Sequence, residues 1–595
     1  MRAKRNLSAI EHRDTRRLVI YFCILAAVTA LRLFLSKDIC LHYEPNTVHD
    51  DVLQFVKGLN YADGSWMGEY NNMTLIKGVI FPIVLGSAVK LGVNFVFLTQ
   101  LIYVLASITA LFATRPIHKF SFASLLMYAF LVFNPLTYST SVVRTYRDAI
   151  YHSLALWSLA LIIGFALRYK DKNPLPRCLY ALFSGVMLCA AVNTREDSQW
   201  LYVFYAAAFV VCIGFTITEK TTQRKALKLC TAAALLVVGY FSVALPICMK
   251  NYETYGVFLQ DEYTSGGYVE AYGAFTRPRS ESGIVMSKDV REKLYELSPT
   301  FATLKEQLDG EGSPVQAWKL GEEYSWMFIW AVRDAAANEG YYCDAVTADA
   351  FWRRVADEVN AVCDAGLIEA SARRSVGISP PIDLSLAPAV LKKTFTEAGY
   401  VISAQGLSCL PEFIEMDRDV MEAYESALHC KISYYYLSGG GEKIPSPDVI
   451  TANMRTLSRL TSIYGYITEA LMLLCPGLLV YAVLRLKRSA GKLGRTVRRQ
   501  LWLYAAVSVG LWLVFLLRSA MIAYIAVTCY SITGGSGYLA ASFAPLYLAI
   551  AVSLLSMFAF ISQIRCAENA EEGRCADKAD GTFEPTRGDT TAPEQ

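Results

Sequence analysis

VHDDVLQFVKGLNYADGSWMGEYNNMTLIK, residues 48–77, is the stretch on which the reading of this chain turns. It follows the first long apolar run and places two adjacent carboxylates, Asp50 and Asp51, just beyond the expected membrane face. Trp66 and Lys77 come next, before the chain turns apolar again at Gly78. Adjacent acids beside a bilayer suit work on a membrane-held, phosphate-bearing substrate, as general base or as metal ligands. The competing reading is a solvated loop, because charged residues in loops are usually just hydrated.

The surroundings make the bilayer the frame. Of 595 residues 54% are hydrophobic and 18% charged, with a mean hydropathy of +0.31. Several apolar runs are long enough to cross a hydrocarbon core of ~30 Å. The composition therefore describes an all-α polytopic membrane protein. A net charge of +3, with no basic cluster interleaved with aromatics, speaks against a nucleic-acid partner. The basic start, Arg2 to Arg17, precedes an apolar run from Leu18 to Leu35 without a small-residue cleavage site, which reads as a retained first helix. None of the 15 cysteines stands in a CxxC or Cys/His zinc spacing.

Lysine and arginine collect on the cytoplasmic side of membrane proteins. Basic sets at Arg2 to Arg17, Arg115 and Lys119, Arg168 to Arg177, Lys220 to Lys228, and Arg485 to Arg499 then mark inner loops. The intervening ends fall outside: the Asp50-Asp51 loop, Asn134 to Asp148, Asn193 to Trp200, the segment after Lys250, and Thr528 to Tyr538. About ten crossings with both termini inside are expected from run length and charge bias. The short apolar run Gly78 to Val93 is expected as a juxtamembrane or re-entrant segment, with a short crossing as the alternative.

Four parts result: an N-terminal membrane module, 1–250, with an outer loop at 38–77; a soluble insert, 251–460; C-terminal membrane helices, 461–564; and a polar tail, 565–595. The insert is expected to be irregular and mostly helical. Phe351, Val355 and Val359 recur at helical spacing, a second helical pattern covers Lys288 to Leu308, and Pro380-Pro381 and Gly439-Gly440-Gly441 read as breaks. Cys343, Cys363, Cys409 and Cys430 allow two disulfides or four free thiols. The tail reads as disordered.

The first outer loop resembles that of the GT-C glycosyltransferases, in the branch of the protein O-mannosyltransferases and lipid A aminoarabinose transferases (glycosyltransferase family 39-like). In that branch an Asp-Glu pair opens an amphipathic segment, a Gly-Asp-Trp-like step follows, and Lys-Pro-Pro closes the loop. The matching residues are Asp50-Asp51, Gly64-Ser65-Trp66, and Lys77-Gly78 with Pro82 displaced. The second acid is Asp, the Pro-Pro is missing, and the Trp comes about one residue early. The resemblance covers roughly the first 260 residues.

It implies a glycosyltransferase that moves a sugar from a polyprenyl-phosphate donor to a cell-envelope glycan, lipid or protein on the outer face of a plasma (inner) membrane. Asp50 or Asp51 would be the catalytic acid. Lys77, Arg144, Arg147 and Arg195 would bind the donor phosphate, with Asp148 and Glu196 in support. Arg144 and Asp148 would pair at i,i+4 if helical. The acid pair is compatible with a divalent metal, which the branch does not clearly require, so no metal site and no cofactor is assigned. His49, the Lys250 to Gly256 helix exit and Arg518, an expensive charge in an apolar run, complete the residues of interest. The rival readings are a transporter or flippase for a lipid-linked saccharide, and a non-catalytic membrane scaffold.

Overall fold

A computed structural model describes residues 2–579 apart from 45–46, 169–172, 218–221, 281–284, 313–326, 375–381, 412–413, 416, 438–442, 445–449, 489–490, 492 and 529–536. The breaks expected at Pro380-Pro381 and Gly439-Gly440-Gly441, most of the loop between Thr528 and Gly537, and residues 580–595 of the tail lie outside the described residues. The last helix, Ala540–Ala579, runs well past Arg565, where the tail was expected to lose order.

Among the described residues nine helices are long and apolar enough to cross a membrane. The tenth expected crossing, Phe122–Val132, is a shorter apolar helix that runs alongside the first helix, with Ser124 at Tyr21 and Val132 at Arg32. At 11 residues it rises roughly 16 Å, well short of a hydrocarbon core. It stops at Asn134-Pro135, where Asn134 accepts from the Leu136 N–H at 3.1 Å and starts a 3₁₀ turn, Pro135–Tyr138. Its end is held by Arg32, a fully buried residue of the first helix that donates to the Val132 carbonyl at 2.8 Å, to Gln100 and to Thr137. Ile80–Leu91 is also short, 12 residues or roughly 18 Å, and packs on Leu53–Ala62. At that contact a Cβ on Gly86 would overlap the Gly58 carbonyl.

The helix Asp148–Leu167 is the axis of the bundle, with 94% of its apolar window buried, against 22% for Ala452–Arg488. Helices Phe95–Ala113, Leu175–Val192 and Ala540–Ala579 pack around it. Glycines bring backbones together: a side chain at Gly185 or Gly239 would meet the partner helix's carbonyls, so Leu175–Val192 and Thr222–Tyr255 approach closely.

The insert folds largely as helices, as expected. Ala345–Asp364 is capped by Asp344, which accepts from the Thr347 N–H at 2.9 Å, and it buries Phe351, Val355 and Val359 on one face. That face lies against Gly267–Phe275, and the core they share takes in Ile76 of the first outer loop. A later helix, Ala387–Ser403, packs instead against Arg495–Thr528 and joins the bundle core. A small sheet is an addition to the helical reading. Ile432–Leu437 pairs in parallel with Leu41–His42 and with Ile414–Glu415, and antiparallel with Lys443–Ile444. Strands of two residues leave almost no alternation for a sequence pattern to display. The four insert cysteines are free thiols, and Cys363, Cys409 and Cys430 are buried.

Candidate functional site

The loop ends that charge bias assigns to one side do converge at one end of the bundle. Asp50 and Asp51 lie in a π-helical turn, Val48–Val52, that leads into Leu53–Ala62. Two neighbours in such a turn point in different directions, and each acid meets a different cation.

Asp51 is fully buried and held bidentate by Arg144, Nε to Oδ1 at 2.8 Å and Nη2 to Oδ2 at 2.5 Å. Burial raises its carboxyl above the ordinary range, and the two arginine bonds oppose that rise. Arg144 is placed by the small sheet: the His42 N–H donates to the Val143 carbonyl at 2.8 Å, and His42 bridges Arg144. The expected Arg144–Asp148 pair does not form. The helix begins only at Asp148, so Arg144 stands in irregular chain before it, and the i,i+4 geometry never arises.

Asp50 is 39% exposed and pairs with the Nζ of Lys77, which is itself buried. Lys77 also donates to the His49 carbonyl at 2.6 Å. Burial works against the charge of Asp50, but the Lys77 ammonium and then Arg147 and Tyr146 outweigh it and hold the carboxyl at about 2. Lys77 faces the rings of Tyr146 and Trp330, both 5.2 Å away, and Trp330 stacks on His49. Gly78, directly after Lys77, lies so close to Asn193 that a Cβ would overlap its carbonyl. The lysine is thereby fixed against the third loop.

Arg147 pairs with Glu196 and donates to the Tyr146 hydroxyl at 2.8 Å. Arg195 pairs with Asp148 and, at 3.0 Å, with Asp197. Asp197 in turn meets the fully buried Arg518 at 2.7 Å, which also donates to the Tyr538 carbonyl at 2.9 Å. Arg518 therefore has a fixed partner, as a charge in an apolar run requires. At the exit of Thr222–Tyr255, Asn251 accepts from the Trp66 indole at 2.8 Å and donates to the Leu259 carbonyl at 2.7 Å, a structural clasp. Trp66 itself takes a left-handed backbone, φ 52°.

Every predicted site residue is thus in one charged centre, but each cation proposed for phosphate already has a carboxylate partner. A metal does not fit the acid pair: each carboxylate is engaged by a cation, and the described residues contain no group of three His, Cys, Asp or Glu side chains suited to an ion. Sequence reading missed Tyr146 as a hub, the insert's Trp330 and Arg333, and Lys57 with Gln54. The last two carried a signal, since Asp51, Gln54 and Lys57 recur at a spacing of three on one side of a helix.

Fold and site together define a polytopic helical membrane protein with a buried, densely ion-paired centre at one mouth of its bundle. No family profile and no curated protein matches the chain. Among solved structures, it is similar to ArnT from Cupriavidus metallidurans bound to undecaprenyl phosphate, at 10% identity and a TM-score of 0.28, covering 95% of this chain and 81% of that one. The apo state of the same enzyme matches at 12% identity and a TM-score of 0.27, over 91% of this chain and 77% of that one. The archaeal oligosaccharyltransferase AglB from Archaeoglobus fulgidus, in complex with an inhibitory peptide and a dolichol-phosphate, matches at 12% identity and a TM-score of 0.36, over 95% of this chain and 52% of that one.

Proposed function

We propose that this protein is a glycosyltransferase that takes a sugar from a polyprenyl-phosphate donor and passes it to an acceptor hydroxyl on the outer face of a plasma (inner) membrane. The observation that carries the reading is the pairing of Asp50 with Lys77. One carboxylate stays reachable from solvent, and a buried ammonium lies beside it.

In the reaction the acceptor oxygen bonds to the anomeric carbon as that carbon's bond to the phosphate oxygen breaks. The hydroxyl proton passes to Asp50, and the lipid phosphate departs with one more negative charge. A carboxyl held near 2 is a weak base, so it accepts a hydrogen bond from the hydroxyl first. It takes the proton late, once bond formation has made that oxygen acidic. Lys77 and Arg147 stand where the leaving phosphate gains charge, and cations help most where charge develops in the transition state. For them to do so, Asp50 and Glu196 must yield their partners in part to the donor. Asp51, with both oxygens held by Arg144, positions the turn and does no chemistry. Arg144 serves the same pair, and Arg195 with Asp148 anchors the third loop.

The test is transfer from a panel of radiolabelled polyprenyl-phosphate sugars by membranes containing wild type, Asp50→Asn and Asp51→Asn. Loss of transfer in Asp50→Asn, with the protein inserted and donor still bound, is the expected result. Transfer unchanged in both variants, or absent from every donor, moves the reading to a transporter for lipid-linked saccharides or a scaffold.

A further inference from the structure

Lys57 is the exception to the pairing rule of this site. It lies on Leu53–Ala62, is 2% exposed, and its Nζ has no hydrogen-bond partner among the described residues. Lys77, Arg147 and Arg333 act on it as like charges and Glu262 as an opposite one, so its ammonium belongs to the same charged centre. Each of these neighbours is already matched, Lys77 by Asp50, Arg147 by Glu196 and Arg333 by Glu262. One turn before Lys57 on the same helix, the fully buried Gln54 leaves both amide atoms unpaired. Arg147 and Arg333 each leave one guanidinium nitrogen unpaired as well, Nε and Nη1.

Burying an unpaired ammonium costs several kcal/mol, and burying an unpaired amide adds to that. Among the described residues of this site, Lys57 is the buried cation with no hydrogen-bond or ion-pair partner, and unpaired donors of Gln54, Arg147 and Arg333 belong to the same corner. The corner lies between the first outer loop and the insert, since Lys57 and Gln54 come from one and Arg333 from the other. Four of the unpaired atoms are donors, an ammonium, an amide nitrogen and two guanidinium nitrogens able to donate to an oxyanion, with the Gln54 carbonyl oxygen and Glu262 Oε2 as acceptors without a hydrogen bond. The four-carbon stem of Lys57 gives its ammonium the freedom to meet an oxygen that arrives beside Lys77.

We propose that Lys57 and Gln54, with the unpaired nitrogens of Arg147 and Arg333, form a binding corner for a phosphate oxyanion that enters with the substrate. The step is binding alone, with no bond made or broken. Burial, followed by the fields of Lys77, Arg147 and Arg333, brings the Lys57 ammonium down to about 7. An arriving dianion restores its charge. The proposal deepens the glycosyltransferase reading and rests on it for the lipid that carries the phosphate, so binding is measured without turnover.

The full chain is purified in detergent and titrated with undecaprenyl phosphate, with undecaprenol, which lacks the phosphate, and with inorganic phosphate. Wild type is compared with Lys57→Met and Gln54→Leu, and unfolding temperature is recorded beside affinity. Lys57→Met removes an unpartnered buried charge at nearly constant shape, so the variant is expected to fold and to melt no lower than wild type. Its affinity for undecaprenyl phosphate is expected to fall at least tenfold, with undecaprenol binding unchanged and a smaller loss in Gln54→Leu. Loss of inorganic phosphate binding alone, with no lipid phosphate effect, keeps the corner and assigns it to a soluble phosphate. Undiminished binding of both phosphates in Lys57→Met overturns the proposal, as does wild type that binds neither. If Lys57→Met loses phosphate binding while no sugar donor is ever turned over, the corner stands and the glycosyltransferase reading falls.

Discussion

Asp51→Asn isolates the difference between the two adjacent acids. Asp51 has no exposed surface and receives two charge-assisted bonds, at 2.8 and 2.5 Å, from an arginine that is itself 20% exposed. Removing one member of a buried ion pair costs about 3–5 kcal/mol, because the other is left charged and unpaired. The asparagine keeps one acceptor, and water reaches part of Arg144, so the lower end applies: about 3 kcal/mol, or roughly two powers of ten in the folded-to-unfolded ratio. Arg144→Gln should cost about as much, and the double variant about 2 kcal/mol less than the sum, which is the coupling a double-mutant cycle reads. The assay is denaturant-driven unfolding in mixed micelles, followed by tryptophan fluorescence. Transfer activity per folded molecule should persist in Asp51→Asn and vanish in Asp50→Asn. A coupling below about 0.5 kcal/mol would refute the pair. Full stability with abolished transfer in Asp51→Asn would exchange the roles of the two aspartates.

Other expectations follow from single positions. Gly78→Ala sets a methyl group against the Asn193 carbonyl. It should destabilise by about 3 kcal/mol, as overpacked contacts do, and raise the donor KM by displacing Lys77, which unfolding and initial-rate measurements check together. Asp261 is buried, and burial raises its carboxyl to about 7. The folded chain therefore holds a proton that the unfolded chain releases near 4, and stability should decline as pH rises from 4 to 7 and then level off. Asp261→Asn should flatten that decline in unfolding midpoints recorded across the range. The four insert cysteines should all take up an alkylating reagent after denaturation without reductant, and a mass shift for fewer than four would show a disulfide where the structure has free thiols.

Much of this site was legible because charge is costly near a bilayer. Asp50, Lys77, Arg147, Arg195 and Glu196 stand out as polar residues between apolar runs, and all of them do meet at one mouth of the bundle. Their partners were not legible. Arg144 was assigned to Asp148 because spacing along a helix is all that a sequence displays. The actual partner, Asp51, is 93 residues away and is brought close by a two-residue strand. The shortness of the tenth expected crossing was not legible for a related reason. Apolar run length counts residues, but Phe122–Val132 stops at Asn134-Pro135, and its Val132 carbonyl accepts from the buried Arg32 guanidinium.

What the amino-acid order determined by itself is the set of membrane helices, the side on which the charged loops gather and the helical insert. Each follows from local quantities: hydropathy summed over a span, charge bias between spans, and apolar spacing within a helix. Only the tertiary structure decided which acid pairs with which cation, and so which carboxylate stays reachable. It also decided that the Lys57 ammonium is buried with no hydrogen-bond partner among the described residues. Ion pairing acts through space at a few ångströms, and the segments that supply the charges lie up to several hundred residues apart in the chain.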